Sequence, residues 1–139
     1  MPIELKFLDN GTGAIYLCKG IVTGQDLLNA NEAVFSDVER FITARYGVID
    51  LTVMEDLQIT SCDLEKVIRQ DASAARINPH VVVAVIADTI IGFGLSRMWE
   101  NLASNISWDK MVFKTRDRAF DWVRDTLKKK FGADVTFEE

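Results

Sequence analysis

The sequence predicts one α/β domain over residues 1–139, built on a mixed, mostly parallel sheet covered by helices in the order ββαβαβαβα. Three observations predict it. Two short apolar runs bracket "DNGTG" (9–13), a turn-forming cluster. Apolar runs then alternate with segments of helical period. "VVVAVIA" (81–87) is apolar at every position, as a strand covered on both faces must be. A hairpin followed by strand–helix alternation gives parallel strands with one antiparallel edge.

The elements follow in order. "IELKFL" and "AIYLCKG" form the opening hairpin. Thr23-Gly24 introduces a helix over about 24–42, with Leu27, Leu28, Val34, Phe35, Val38, Phe41 and Ile42 on one face. "RYGVIDLT" (45–52) is a strand and "VMEDLQIT" (53–60) an irregular link. Ser61 caps a helix over 61–77 whose inward stripe is Leu64, Val67, Ile68, Ala72 and Ala75. Asn78-Pro79 stops it, because proline disfavours the helical conformation in its predecessor. After the 81–87 strand comes a helix over about 91–104 carrying Leu95, Met98, Trp99 and Leu102. "KMVFK" is the last strand. Thr115 caps the final helix, Gly132 ends it, and Lys128 to Lys130 sit where the helix dipole favours positive charge. No repeat, low-complexity tract or linker divides the chain.

With 48% hydrophobic residues the chain has the material for a core. A net charge of −5 and a pI near 4.9 argue against nucleic acid and against anionic membrane surfaces, whose phosphates would be repelled. "MPIELKFLDN" has neither the basic region nor the apolar run of a signal peptide. "HVVVAVIADTIIGFGL" contains Asp88 and breaks at Gly92, short of the roughly 18 apolar residues of a membrane span. Cys18 and Cys62 are too few to staple the chain, so reduced thiols and a cytoplasmic location are expected.

Chemistry is sparse. His80, the one histidine, follows Asn78-Pro79 with no serine or cysteine motif around it, and reads as a turn residue. Metal binding needs clustered ligands, which one histidine and two distant cysteines do not offer. "GFGLSR" (92–97) resembles half of a glycine-rich phosphate loop, but Arg97 stands at the third glycine position and turn chemistry is the plainer reading. Neither an enzyme nor a cofactor is expected. The carboxyl ends of the parallel strands, where partners tend to meet such sheets, supply Asp50 and Thr52, Asp88, and Lys114; the helix start at Ser61 opens on the same edge. Asn31 lies squarely on an apolar stripe, where an unpaired amide costs about 1–3 kcal/mol. It needs either a hydrogen bond to a neighbouring loop backbone or a ligand in a small pocket. Asp71 flanks the next stripe in the same way, with Arg76 as its expected partner. Trp99 and Trp122 sit on faces that pack, while Trp108, in the polar "SNISWDK", is a candidate partner contact.

The element order and the segment "GVIDLTVMEDLQITSCDLEKVI" (47–68) resemble a STAS domain, the module of bacterial anti-sigma-factor antagonists. Those proteins carry a strand ending in Asp-Leu-Ser, then Asp-Ser-Ser-Gly-Leu opening a helix. Here Ile49-Asp50-Leu51-Thr52 matches the strand end and Thr60-Ser61-Cys62-Asp63-Leu64 the helix opening. The resemblance implies a regulatory module that binds a protein partner, a regulatory kinase or an anti-sigma-like protein. It also implies that Ser61 stands at the phosphorylated serine, with Asp50, Thr52 and Thr60 beside it, and it leaves room for a homo-oligomer. Thr60 replaces the aspartate before the serine, Cys62-Asp63 replaces Ser-Gly, and Asp63 would repel a phosphate. Over residues 20–125, "TGQDLLNAN", "ARINPHVVVAVIAD" and "VFKTRDRAFDWV" also resemble a group of small uncharacterised bacterial proteins with the SpoIIAA-like fold, similar to STAS and to CRAL-TRIO lipid-binding domains. Two expectations follow: a non-enzymatic protein-interaction module read at the Ser61 edge, or a binder of a small apolar or lipid-like ligand held by Asn31, Asp88 and Arg97.

Overall fold

In the computed structural model, which describes residues 2–139, the chain runs β1 (Ile3–Leu8), β2 (Gly13–Cys18), β3 (Gly20–Thr23), α1 (Gly24–Phe35), α2 (Val38–Phe41), β4 (Tyr46–Asp50), β5 (Met54–Gln58), α3 (Ser61–Ile77), β6 (Val82–Ile86), α4 (Ile90–Leu102), β7 (Asp109–Phe113) and α5 (Arg116–Phe131). Five strands form one sheet in the order β1-β2-β4-β6-β7. The β1–β2 pair is antiparallel and every other pair in this sheet is parallel. The β6 strand therefore lies inside the sheet and β1 at its antiparallel edge, as the apolarity of "VVVAVIA" and the opening hairpin predict.

The period of two in β6 sorts the core into two layers. Val82, Ala84 and Ile86 join Val48 of β4 and Ala119, Val123 and Leu127 of α5 on one face. Val81, Val83, Val85 and Ala87 join the apolar faces of α1, α3 and α4 on the other. Both faces of the strand are sealed, and all five of its residues are buried.

The structure adds one feature and corrects several boundaries. The strand in "AIYLCKG" ends at Cys18, and after Lys19 a second strand begins at Gly20, whose φ of +60° lies in the left-handed region open to glycine. The second piece, β3, pairs in parallel with β5 in a separate two-stranded sheet, Thr23 opposite Gln58. Residues 53–60 are thus not an irregular link. Only Leu57 of β5 is buried, so its alternation leaves little trace in the sequence. The first helix stops at Phe35, and Asp37 caps the short α2 through its carboxylate on the Arg40 amide. Val38 and Ile42 consequently face outward rather than into the core. In α4 the inward residues are Gly92, Ser96 and Trp99, while Met98 and Leu102 are exposed. "GFGLSR" is helical, so it makes no phosphate loop.

The β1–β2 turn is tied to the end of the chain. Asp9 and Asn10 hold positive φ, and the Asp9 carboxylate accepts from Tyr46 Oη, from the amide and hydroxyl of Thr136, and from the Phe137 amide. Burial pushes that carboxyl up, but these donors outweigh it and hold it below the usual carboxylate range.

Candidate functional site

Between the sheet and the α1–α3–α4 layer lies a cavity of about 130 Å³, walled almost entirely by apolar side chains such as Leu27, Val67, Val83 and Val85. Besides Thr12 and Arg40, its wall includes three polar side chains from the helices: Asn31 from α1, Asp71 from α3 and Ser96 from α4. All three are buried.

Asn31 is held by a relay of side chains. Tyr16 Oη on β2 donates to Asn31 Oδ1 at 2.8 Å, and Asn31 Nδ2 donates to Gln70 Oε1 at 3.0 Å. Gln70 Nε2 in turn donates to the Leu28 carbonyl at 3.0 Å. The expected bond from Asn31 to a loop backbone is therefore absent; two regular elements, β2 and α3, supply its partners instead. Burial raises the Tyr16 hydroxyl, and the nearby Asp71 and Cys18 raise it further, so it remains a proton donor.

Asp71 does not pair with Arg76, which is exposed on the far side of α3. Its partner is Trp99, whose Nε1 donates to Asp71 Oδ2 at 2.9 Å across 28 residues of sequence. Burial lifts the Asp71 carboxyl to about 7; the Trp99 hydrogen bond and the charge of Lys110 oppose the rise without cancelling it. Lys110 is lowered by burial while Asp71, Asp109 and Glu100 hold it up. Trp108 is buried and donates from Nε1 to the Asn78 carbonyl at 2.8 Å, so it closes the α3–β6 turn rather than offering a contact to a partner.

The second candidate region is the start of α3. Thr60, not Ser61, is the cap: Thr60 Oγ1 accepts from the Asp63 amide at 3.0 Å, and Asp63 Oδ2 accepts from the Thr60 amide at 3.0 Å. These bonds hold the Asp63 carboxyl below its usual range. Thr23 and Asp26 make the same reciprocal box at α1. The two helix starts abut, with Gly24 packed directly on the Asp63 carboxylate. Ser61 is left exposed in the first turn with no side-chain hydrogen bond to a described residue, and Cys62 is exposed beside it.

Of the remaining candidates, Asp50, Thr52, Asp88 and Lys114 lie at the neighbouring carboxyl ends of β4, β6 and β7, as the sequence predicts, and Arg97 lies apart on α4. Asp50 is buried and accepts from the amide and hydroxyl of Thr52 and from Arg116 Nε at 2.8 Å, fastening the end of β4 to the start of α5. Asp88 and Lys114 are exposed at strand ends, and Lys114 lies over the Phe93 ring. Arg97 pairs with Glu100 at 3.3 Å on the outer face of α4. Neither Asp88 nor Arg97 lines the cavity, so of the three ligand candidates only Asn31 does. Tyr16, Gln70, Asp71, Ser96 and Trp99 complete the polar part of that wall and its support. The thiol of Cys18 is wholly enclosed and pushed up to about 12, chiefly by burial and then by Asp50 and Asp26. No helix among the described residues is long and apolar enough to cross a membrane.

No family model matches this chain, and no curated protein matches it. Solved structures do. The chain is similar to a protein of the DUF3478 family with a SpoIIAA-like fold from Shewanella loihica PV-4, at 15% identity, with a TM-score of 0.51 over 87% of this chain and 91% of that one. It is also similar to the anti-sigma-factor antagonist SpoIIAA in its unphosphorylated form, at 6% identity, with a TM-score of 0.54 over 88% of this chain and 97% of that one. The chain thus has the SpoIIAA-like α/β fold, a mixed and mostly parallel five-stranded sheet with helices.

Proposed function

We propose that this chain is a non-enzymatic binding module that takes up a small apolar ligand between its sheet and the α1–α3–α4 layer. The observation that carries this reading is the cavity. Protein interiors are packed like organic crystals, with few voids larger than a water molecule. An apolar cavity of about 150 Å³ is known to stay dry and to bind benzene. The space here, about 130 Å³, is of that order and most of its wall is apolar, so a single ring or a short branched chain fits it. The polar handles are Asn31 and Asp71; Arg97 and Asp88 play no part. His80 is exposed after Asn78-Pro79 and lies outside the lining of the cavity. Titrating the ¹⁵N-labelled protein with toluene tests the reading. Saturable shifts centred on α1, α3, α4 and β6 are expected; shifts absent or confined to surface loops would overturn it.

A second reading has its own support. With Thr60 capping α3, the Ser61 hydroxyl is free and exposed, and one of the similar structures is an anti-sigma-factor antagonist described in its unphosphorylated form. A STAS-type regulatory module would present this edge to a kinase or an anti-sigma-like protein, and a negative charge at Ser61 would break the contact. Pull-downs with wild type and Ser61→Asp, each checked by thermal melting, test it. Loss of one specific partner with an unchanged melting temperature supports the reading, and equal recovery of every partner contradicts it.

A further inference from the structure

We infer that the ligand of the cavity is a small apolar amine, its ammonium group seated against the free oxygen of Asp71. This inference deepens the apolar-ligand reading and rests on it. The wall around Asp71 has a short hydrogen-bonding inventory. Tyr16 gives its one hydroxyl proton to Asn31, and Asn31 donates to Gln70. Ser96 Oγ donates to the Gly92 carbonyl at 2.7 Å, and Trp99 gives its only N–H to Asp71 Oδ2. Apart from the second N–H of Asn31 Nδ2, these donors are committed, so acceptors predominate on this stretch of wall.

Foremost among those acceptors is Asp71 Oδ1. It has no hydrogen bond to a described residue, yet no fully enclosed side-chain nitrogen or oxygen among the described residues lacks a partner. Oδ1 therefore opens onto space, and the space Asp71 lines is the cavity. The residue as a whole is only 5% exposed. A buried carboxylate without a counter-charge is unstable, and a donor that carries positive charge relieves it most. The chain supplies no such donor. Lys110 of β7 is the nearby cation, but its ammonium donates to the Ile106 and Trp108 carbonyls at 2.8 and 3.0 Å and makes no ion pair with Asp71. The other charged lining residue, Arg40, stacks on the Phe7 ring and donates to the Ala33 carbonyl.

The titratable groups facing Asp71 are Lys110 from β7 and Tyr16 from β2. The helices α1 and α4 present the neutral Asn31, Ser96 and Trp99. With its carboxyl raised to about 7, Asp71 is ionised at pH 8 and ready for a cation, and it is protonated in mild acid. Amine binding then requires deprotonation of Asp71, whereas hydrocarbon binding does not. The cavity volume restricts the apolar part to about one ring.

Benzylamine, benzyl alcohol and toluene share that ring and differ only in the head group. Calorimetric titration of each into wild type and Asp71→Asn at pH 8, and into wild type from pH 5 to 8, tests the assignment. Benzylamine is expected to bind wild type about tenfold or more tighter than toluene, and Asp71→Asn to lose that preference. Below about pH 7 its affinity for wild type should fall by about tenfold per pH unit while that of toluene stays flat. The pH series uses wild type alone, so it stands even where the variant folds poorly. Toluene or benzyl alcohol binding as tightly as benzylamine, or a flat pH profile, overturns the amine assignment and leaves the apolar-ligand reading standing. Failure of all three to bind overturns both.

Discussion

Trp99 and Asp71 are joined by a hydrogen bond of 2.9 Å from the indole Nε1 to carboxylate Oδ2, and both side chains line the internal cavity. The bond ties α4 to α3 and leaves Oδ1 as the carboxylate oxygen without a hydrogen bond to a described residue. It also places an ionisable group among apolar ones, with a consequence for stability.

Asp71 carries a folded-state pKa of about 7, above the value of about 3.9 that an aspartate has in an unfolded chain. Between those values the folded protein binds the extra proton, so stability falls as pH rises from about 4 to about 7 and levels off above. Asp71→Asn keeps an acceptor for Trp99 and removes the titration. Its stability should be flat across that window and exceed that of wild type at pH 8 by roughly 1–4 kcal/mol. Urea melts of both proteins at pH 5 and pH 8 check this; parallel pH dependence would place Asp71 at an ordinary pKa.

The α3 boundary separates two neighbouring hydroxyls. Thr60→Ala removes the acceptor for the Asp63 amide and should cost about 0.5–2 kcal/mol. Ser61→Ala, at an exposed position without a bond, should stay within about 0.5 kcal/mol of wild type. Thermal melts of the two variants side by side separate them, and a larger loss from Ser61→Ala would return the cap to Ser61.

Tyr16→Phe deletes one proton from the relay through Asn31 to Gln70. Asn31 Oδ1 would then be left without its partner in a buried site, at a cost of about 1–3 kcal/mol. Chemical denaturation reads the loss. An unchanged midpoint would mean that Asn31 finds another donor.

At the opposite end of the sheet, Asp9 holds residues Thr136 and Phe137. Its carboxyl is depressed in the folded state, so it stabilises the fold above about pH 4 and that contribution is lost as acid protonates it. Asp9→Ala should free the amides of 136 and 137 to hydrogen exchange at pH 7. As acid protonates Asp9 the difference between wild type and variant should shrink, and unchanged protection in the variant at pH 7 would contradict the tether.

Much of the fold is legible in the sequence because each of the main strands and helices carries a whole apolar face. Residues 81–87 are readable as an interior strand from their unbroken apolarity, and Thr115 and Gly132 mark the ends of α5. The β3–β5 sheet is not readable, since two strands bury only Val22 and Leu57 between them and no period of two survives. The shift of the α3 cap was within reach. Thr60-x-x-Asp63 repeats Thr23-x-x-Asp26, and that spacing marks a capping box more strongly than a serine next to a cysteine.

The site is less legible than the fold. Asn31 betrays itself as a polar residue on an apolar stripe, but its partners lie 15 and 39 residues away. Asp71 suggests Arg76 by proximity in sequence, whereas tertiary packing pairs it with Trp99 on another helix. Trp108 sits in a polar segment yet is buried, because its ring packs with Phe35 and Phe41 under the α3–β6 turn. A cavity is a difference between the volume the backbone encloses and the volume the side chains fill. No local pattern of residues encodes that difference.

A small molecule in the space between the sheet and α1, α3 and α4 would add its own mass to the folded chain. Native mass spectrometry of the protein purified without denaturation, beside a variant with that space filled, tests for it most directly. Val83, on the cavity-facing side of β6, is the position to enlarge, and Val83→Phe should occupy the void and cost no more than about 1–3 kcal/mol of stability. A bound mass is expected on wild type that disappears on denaturation and is absent from Val83→Phe. Wild type at the mass of the bare chain, or the same adduct on both proteins, would contradict a ligand in that space.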